Sequence, residues 1–75
     1  MKTIKLTGFN KLIGEDVELT YTIGQAKSDG KYVAHRELSS SIRKVSGRFN
    51  TYEGALLAVI ENAQKSGFKN IAFMS

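Results

Sequence analysis

Polar and apolar residues alternate without a break from Asp16 to Ile23. A repeat of two is the period of a β-strand, because successive side chains of a strand point to opposite faces of the sheet. The apolar members of this segment therefore share one buried face, namely Val17, Leu19, Tyr21 and Ile23. The acidic and threonine side chains between them lie on the other face. A strand with one buried and one solvated face is typical of an antiparallel sheet that is covered on one side only.

Other segments show weaker strand patterns. Alternation over residues 3–8 and 31–38 predicts two more strands, and the Ser28-Asp29-Gly30 turn joins the second of them to the alternating segment as a hairpin. Residues 42–49 resume the pattern either after a bulge or as a separate strand. Residues 71–74 predict a short closing strand.

Residues 50–65 have the spacing of an amphipathic helix. Asn50 is expected to cap the N-terminus, and Glu53 three residues later suits a capping box. Gly67 is expected to end the helix, because glycine readily adopts the left-handed conformation found after the last helical turn. The apolar stripe consists of Tyr52, Leu56, Val59, Ile60 and Ala63.

The order β-β-β-α-β predicts an α+β fold with two layers, a mainly antiparallel four-stranded sheet with one helix on one face. A right-handed crossover through the helix places the last strand parallel to the first, in the sheet order 3-2-1-4. A length of 75 residues allows one small domain, spanning residues 1–75.

The composition narrows the classes of function. The chain has no Cys, which excludes disulfides, thiol nucleophiles and cysteine-ligated metals, and favours a reducing, cytoplasmic location. No apolar run reaches the length of a membrane span, so no membrane partner is expected. The lone His35 has no neighbouring metal-ligand pattern, and the pair Asp16 and Glu18 is interpreted as part of a solvated strand face. No glycine-rich phosphate loop occurs. We therefore expect no cofactor, no metal site and no enzymatic activity.

Net positive charge is confined to the second part of the chain. Residues 1–30 have no net charge, so the whole net charge of +4 lies in residues 31–75. The segment from residue 36 to 48 contains four basic side chains with serines between them: Arg36, Arg43, Lys44 and Arg48. Guanidinium groups bind phosphate bidentately. The segment therefore predicts a small binding module that contacts a nucleic-acid backbone with little sequence specificity.

Three aromatic residues near the basic segment have two interpretations. Tyr32, Phe49 and Tyr52 either offer a surface on which a base stacks or belong to the core.

The alternative hypothesis is a protein-binding regulator or inhibitor, of the kind that phages and mobile elements encode. Such a protein acts by occupying the surface of a larger protein. An exposed sheet edge would pair with that partner's sheet or with a second copy of the chain.

The helix start Asn50-Thr51-Tyr52-Glu53-Gly54-Ala55-Leu56-Leu57-Ala58 follows three predicted strands. This order resembles the first half of the ribonuclease H-like fold, and Glu53 sits where that family has a catalytic Glu. The family's first strand supplies an Asp before a Gly, where this chain has Thr7 before Gly8. Because two Mg²⁺ ions need several carboxylates, the resemblance implies the family's architecture without its activity.

Overall fold

The computed structural model describes residues 1–74. The elements in chain order are β1 (Lys2–Asn10), β2 (Glu15–Gln25), β3 (Tyr32–Glu37), β4 (Ile42–Lys44), α1 (Tyr52–Lys65) and β5 (Phe68–Phe73). All strands belong to one antiparallel sheet with the order β4-β3-β2-β1-β5. The predicted α+β class and the mainly antiparallel sheet are confirmed, but the sheet has five strands instead of four.

The alternating segment forms the centre of the sheet, as its pattern predicts. Strand β2 pairs with β1 along its first part and with β3 along its second, and the pairs Leu6–Leu19 and Ile4–Tyr21 lie side by side in the register. These four side chains are buried. The β2–β3 turn has Gly30 at a φ of +71°, the left-handed conformation that glycine accepts without strain.

The segment after β3 pairs with it in two stretches. Strand β4 covers three residues, and the amide of Val45 still donates to the carbonyl of Ala34. The chain then loops out over residues 46–48 and returns at Phe49, which pairs with Tyr32. Of the two open interpretations of residues 42–49, the structure shows the separate strand, since β4 folds back antiparallel on β3.

The helix begins one residue later than the sequence suggests. Thr51, in an extended conformation, is the N-cap, because its hydroxyl oxygen accepts from the amide of Gly54 at 3.0 Å. Asn50 lies outside the helix, so the predicted cap is wrong by one position. The predicted end is confirmed, since Lys65 is the last helical residue and Gly67 has a φ of +96°.

The last strand runs in the direction opposite to the prediction. Strand β5 pairs antiparallel with β1, where a parallel neighbour was expected. The cause is β4, because one more antiparallel strand reverses the direction in which the chain enters the helix. The helix then crosses the sheet from the β4 edge to the β1 edge. The strand that follows it therefore runs antiparallel to β1.

The core lies between α1 and the sheet. The helix buries Ala55, Val59 and Ala63 completely, while Tyr52 and Leu56 pack at its margin. Ala55 was not in the predicted stripe, and Ile60, which was, is only half-buried. Small side chains along the centre of the stripe let the helix approach the strands closely.

The face of the sheet away from α1 carries the polar side chains that the alternation predicts. Cross-strand pairing aligns Thr3, Thr22, His35 and Lys44 in one row. Thr22 is buried within this row, while Thr3 and Lys44 are exposed. Within residues 1–74, no helix has the length and apolar character needed to cross a membrane.

Candidate functional site

Two arginines from the predicted basic segment lie side by side in the sheet. Arg36 on β3 is directly opposite Arg43 on β4, and Arg36 is also opposite Tyr21 on β2. Directly opposed residues share a sheet face, so both arginines lie on the face that α1 covers. Like charges in this position repel each other. Within residues 1–74, neither guanidinium forms an ion pair with a carboxylate.

The Arg36 side chain is held in place by the end of the helix. Its Nη1 donates to Ser66 Oγ at 3.2 Å, and that hydroxyl donates to the carbonyl of Asn62 at 2.9 Å. The guanidinium carbon lies 5.7 Å from the ring centroid of Phe68, a cation–π distance. Since a guanidinium has five N–H donors, most of those of Arg36 remain available to a ligand.

A cleft of about 280 Å³ opens between β4 and the C-terminal turn of α1. Six residues line it, namely Arg36, Arg43, Lys44, Val45, Asn62 and Ser66. Arg43 shares the face of Arg36, whereas Lys44 pairs with His35 in the row on the other face and lines the cleft from the edge strand. Three of the four predicted binding residues are therefore brought together.

Arg48 lies apart from the other three. Its Nη1 contacts Asp29 Oδ2 at 2.8 Å, so its charge is neutralised by a partner in the β2–β3 turn. The neighbouring Phe49 pairs with Tyr32, four residues along β3 from Arg36. At about 3.3 Å per residue, this separation is roughly 13 Å along the strand.

Asp29 is well suited to neutralise Arg48. The amide of Lys31 donates to Asp29 Oδ1 at 3.0 Å. This hydrogen bond, together with the charge of Arg48, holds the pKa of the Asp29 carboxyl below its usual value. The carboxylate is therefore ionised at neutral pH and can pair with Arg48, which is not among the residues that line the cleft.

The Tyr21 phenol, which lies behind the cleft residue Asn62, carries no negative charge at neutral pH. Tyr21, which is completely buried, donates its hydroxyl to Asn62 Oδ1 at 2.7 Å. Burial raises the pKa of this phenol, and the nearby charge of Arg36 opposes the rise only partly. The hydroxyl remains neutral and fixes the Asn62 side chain beside the two arginines.

A second groove of about 170 Å³ continues along the helix from the cleft. Val45 and Asn62 line both spaces. Its charged residues are Glu61 and Lys65, which lie one helical turn apart and cancel each other. Positive charge is therefore concentrated in the cleft and does not extend into the groove.

The aromatic residues near the basic segment pack against the core. Tyr32, Phe49 and Tyr52 are half-buried and contact the buried cluster. The rings of Tyr32 and Tyr52 meet edge to face, with centroids 6.1 Å apart. These residues therefore contribute to packing, and stacking of a base on their exposed parts stays a prediction.

The acidic and histidine side chains among residues 1–74 do not form a metal site. Glu18 pairs with Lys5 at 3.6 Å on the open face. His35 is half-buried there, and Glu53 is exposed in the first turn of α1. Across residues 1–74, no three acidic or histidine side chains lie close enough together to hold a metal ion.

The basic cluster was found from composition, but its supporting residues were missed. Asn62, Ser66 and Phe68 lie about thirty positions along the chain from Arg36. A serine and an asparagine at the end of a helix are common capping residues. No pattern in the sequence links them to an arginine on a distant strand.

Comparison with protein-family models, with curated proteins and with solved structures found no match to this chain.

Proposed function

We propose that this chain is a small non-enzymatic module that binds the phosphate backbone of a nucleic acid through the cleft between β4 and the end of α1. Arg36 and Arg43 would hold a phosphate between them, and Lys44 would add a third positive charge from the edge strand. Because these groups contact phosphate and not base edges, binding would show little sequence preference.

The observation that carries this proposal is the pair of opposed arginines without a carboxylate partner. Among residues 1–74, the basic side chains that do have a carboxylate partner are Arg48, with Asp29, and Lys5, with Glu18. Opposing two guanidinium groups costs free energy in the isolated protein. An anion placed between them removes the repulsion and accepts charge-assisted hydrogen bonds from both.

Fluorescence anisotropy with short single- and double-stranded DNA and RNA tests the proposal. At about 50 mM salt we expect micromolar or tighter binding, which weakens steeply toward about 200 mM as phosphate contacts are screened. The variant Arg43→Gln should bind about tenfold more weakly, because one charge-assisted contact is lost.

Arg48→Gln is the matched control, since it removes the same charge from the same segment outside the cleft. It should bind with nearly the affinity of the unmodified protein. Absence of binding at low salt would refute the proposal, and an equal loss in both variants would show that net charge, not the cleft, attracts the ligand.

A protein-binding regulator or inhibitor is the second candidate. The observation that favours it is the tip of the β1–β2 hairpin, where Leu12 and Ile13 are 95% and 58% exposed. The sheet edges themselves have features that disfavour pairing with another strand. Strand β4 has three residues, two of them basic, and β5 is bulged next to Lys69.

If the protein partner is a second copy of the chain, sedimentation equilibrium distinguishes this candidate from nucleic-acid binding. If the tip mediates self-association, the double variant Leu12→Ser, Ile13→Ser should remain monomeric at concentrations where the unmodified protein dimerises. Its affinity for nucleic acid should be unchanged. A monomer in both cases would exclude self-association through the tip.

A further inference from the structure

The positive charge of the cleft and the residues that limit its extent suit the end of a nucleic-acid strand. We propose that its ligand is a terminal phosphomonoester, the phosphorylated end of a nucleic acid, and not an internal phosphodiester. This inference rests on the proposed function and names the chemical group that the site selects.

The first argument is charge. A phosphomonoester carries about −1.5 to −2 at neutral pH, whereas a phosphodiester carries a single negative charge. Arg36 and Arg43 together contribute two positive charges, and no carboxylate among residues 1–74 pairs with either of them. The dianion therefore neutralises the two arginines and leaves only Lys44 uncompensated, while a diester leaves two of the three positive charges of the cleft uncompensated.

The second argument is the wall formed by the helix. Two residues close one side of the cleft: Asn62, in the last turn of α1, and Ser66, its C-cap. The C-terminal end of a helix carries partial negative charge, which weakens the binding of any phosphate in the cleft and is outweighed there by Arg36 and Arg43. An internal phosphate has a further phosphate on each side of it, so a strand that continues through the cleft brings more negative charge near this end than a strand that stops there. A terminal phosphate has a neighbour on one side only.

The third argument is that the positive charge does not form a track. Arg48 lies at the other end of β3 in its pair with Asp29, and the groove that continues from the cleft carries the opposed charges of Glu61 and Lys65. A cleft of about 280 Å³ is also slightly smaller than the usual pocket for a drug-sized ligand. It accommodates one phosphate and part of its sugar, not a length of strand.

Arg36 is prepared for this role before the ligand binds. Its contacts with Ser66 and Phe68 fix the plane of the guanidinium. A phosphomonoester presents three free oxygens, one more than a diester, so that both arginines can bind it bidentately at the same time.

Anisotropy competition with a short oligonucleotide tests the inference. The same sequence would be prepared with a phosphate at the 5′ end, with a phosphate at the 3′ end and with hydroxyls at both ends. We expect at least one phosphorylated form to bind about tenfold more tightly than the hydroxyl form, as one additional charge-assisted contact implies. Arg43→Gln should abolish this preference, and Arg48→Gln should retain it.

The pH dependence provides a second readout. Because the second pKa of a phosphomonoester is about 6, the preference should shrink between about pH 7.5 and about pH 5.5. A preference that does not change over this range would overturn the assignment to a dianion.

The outcomes distinguish this inference from the proposed function. Equal binding of the three oligonucleotides would overturn the inference and leave backbone binding intact, while no binding of any would overturn both. Inorganic phosphate and a nucleoside monophosphate serve as further competitors. If either competes as well as the phosphorylated oligonucleotide, the phosphomonoester assignment stands, but a small phosphorylated molecule replaces nucleic acid as its source.

Discussion

The basic side chains of this protein differ in what surrounds them. For binding an anion, these surroundings matter more than the number of basic residues. Arg48 is neutralised by Asp29, whereas Arg36 and Arg43 oppose each other. The sequence places all of them in one segment, and the positions of Arg36, Arg43 and Lys44 around one cleft agree with the predicted cluster. The exclusion of Arg48 was not predictable, because its partner is nineteen positions earlier in the chain.

Tyr21 links the core to the cleft through its hydrogen bond to Asn62. Tyr21→Phe removes the hydroxyl and leaves a carbonyl oxygen of the Asn62 amide without its donor. We expect a loss of about 1 kcal/mol in the free energy of unfolding at pH 7, measured by urea denaturation.

The effect of Tyr21 should also depend on pH. Its pKa is raised above the usual value of 10.0 in the folded protein, so its contribution to stability is complete below pH 10 and is lost as pH rises through the folded pKa. The difference in stability between the unmodified protein and Tyr21→Phe should therefore shrink above pH 10. A difference that stays constant or grows would contradict the raised pKa.

Gly8 on β1 packs directly against Phe68, the first residue of β5. A Cβ atom at this position would be 2.9 Å from Cβ of Phe68, a distance that requires backbone movement. We expect Gly8→Ala to lower the free energy of unfolding by about 1–3 kcal/mol, as overpacking in a tight core does.

Gly24 is the matched control for this substitution. A Cβ there would have its nearest neighbour at 4.0 Å, the end of the flexible Met1 side chain. Gly24→Ala should change the stability by no more than about 0.5 kcal/mol. Similar urea midpoints for the two variants would contradict the close packing of β1 on Phe68.

Among the secondary-structure elements, the helix offers the clearest test. Thr51→Ala removes the side chain that accepts from the amide of Gly54, and should cost about 1 kcal/mol. Asn50→Ala, one position earlier, removes the residue that the sequence favours as a cap and should have little effect. The two variants can be compared by thermal denaturation followed by circular dichroism. A larger loss for Asn50→Ala would place the cap where the sequence predicted it.

The elements that the sequence predicts well are the ones with long, regular patterns. Strand β2 alternates over eight of its eleven residues, 16–23, and α1 carries an apolar stripe between recognisable ends. Strand β4 was left open because three exposed residues are too few to show a period. The start of β5 was missed because the bulge near Asn70, whose φ is +52°, breaks its alternation.

The direction of β5 shows how a small local uncertainty changes the topology. Once β4 is included, the antiparallel order requires the helix to enter from the opposite end of the sheet. The prediction of a parallel last strand followed correctly from three strands and failed because there are four before the helix. No residue of β5 itself carries this information.

At the scale of the whole molecule, the proposed function predicts that the ligand binds in the cleft and not elsewhere on the surface. The cleft joins residues from β3, β4 and the end of α1, while the exposed hairpin tip and the Arg48–Asp29 pair lie outside it. A ligand that followed net charge alone would contact Arg48 and the other lysines as well. A ligand of the cleft would leave them unaffected.

An amide NMR titration with a 5′- or 3′-phosphorylated oligonucleotide at low salt locates the ligand. We predict that the largest shift changes occur at Arg36, Arg43, Lys44, Asn62 and Ser66. The amides of Asp29, Arg48 and the hairpin tip should remain nearly unchanged. Changes centred on Leu12 and Ile13, or spread evenly over all basic residues, would contradict binding in the cleft.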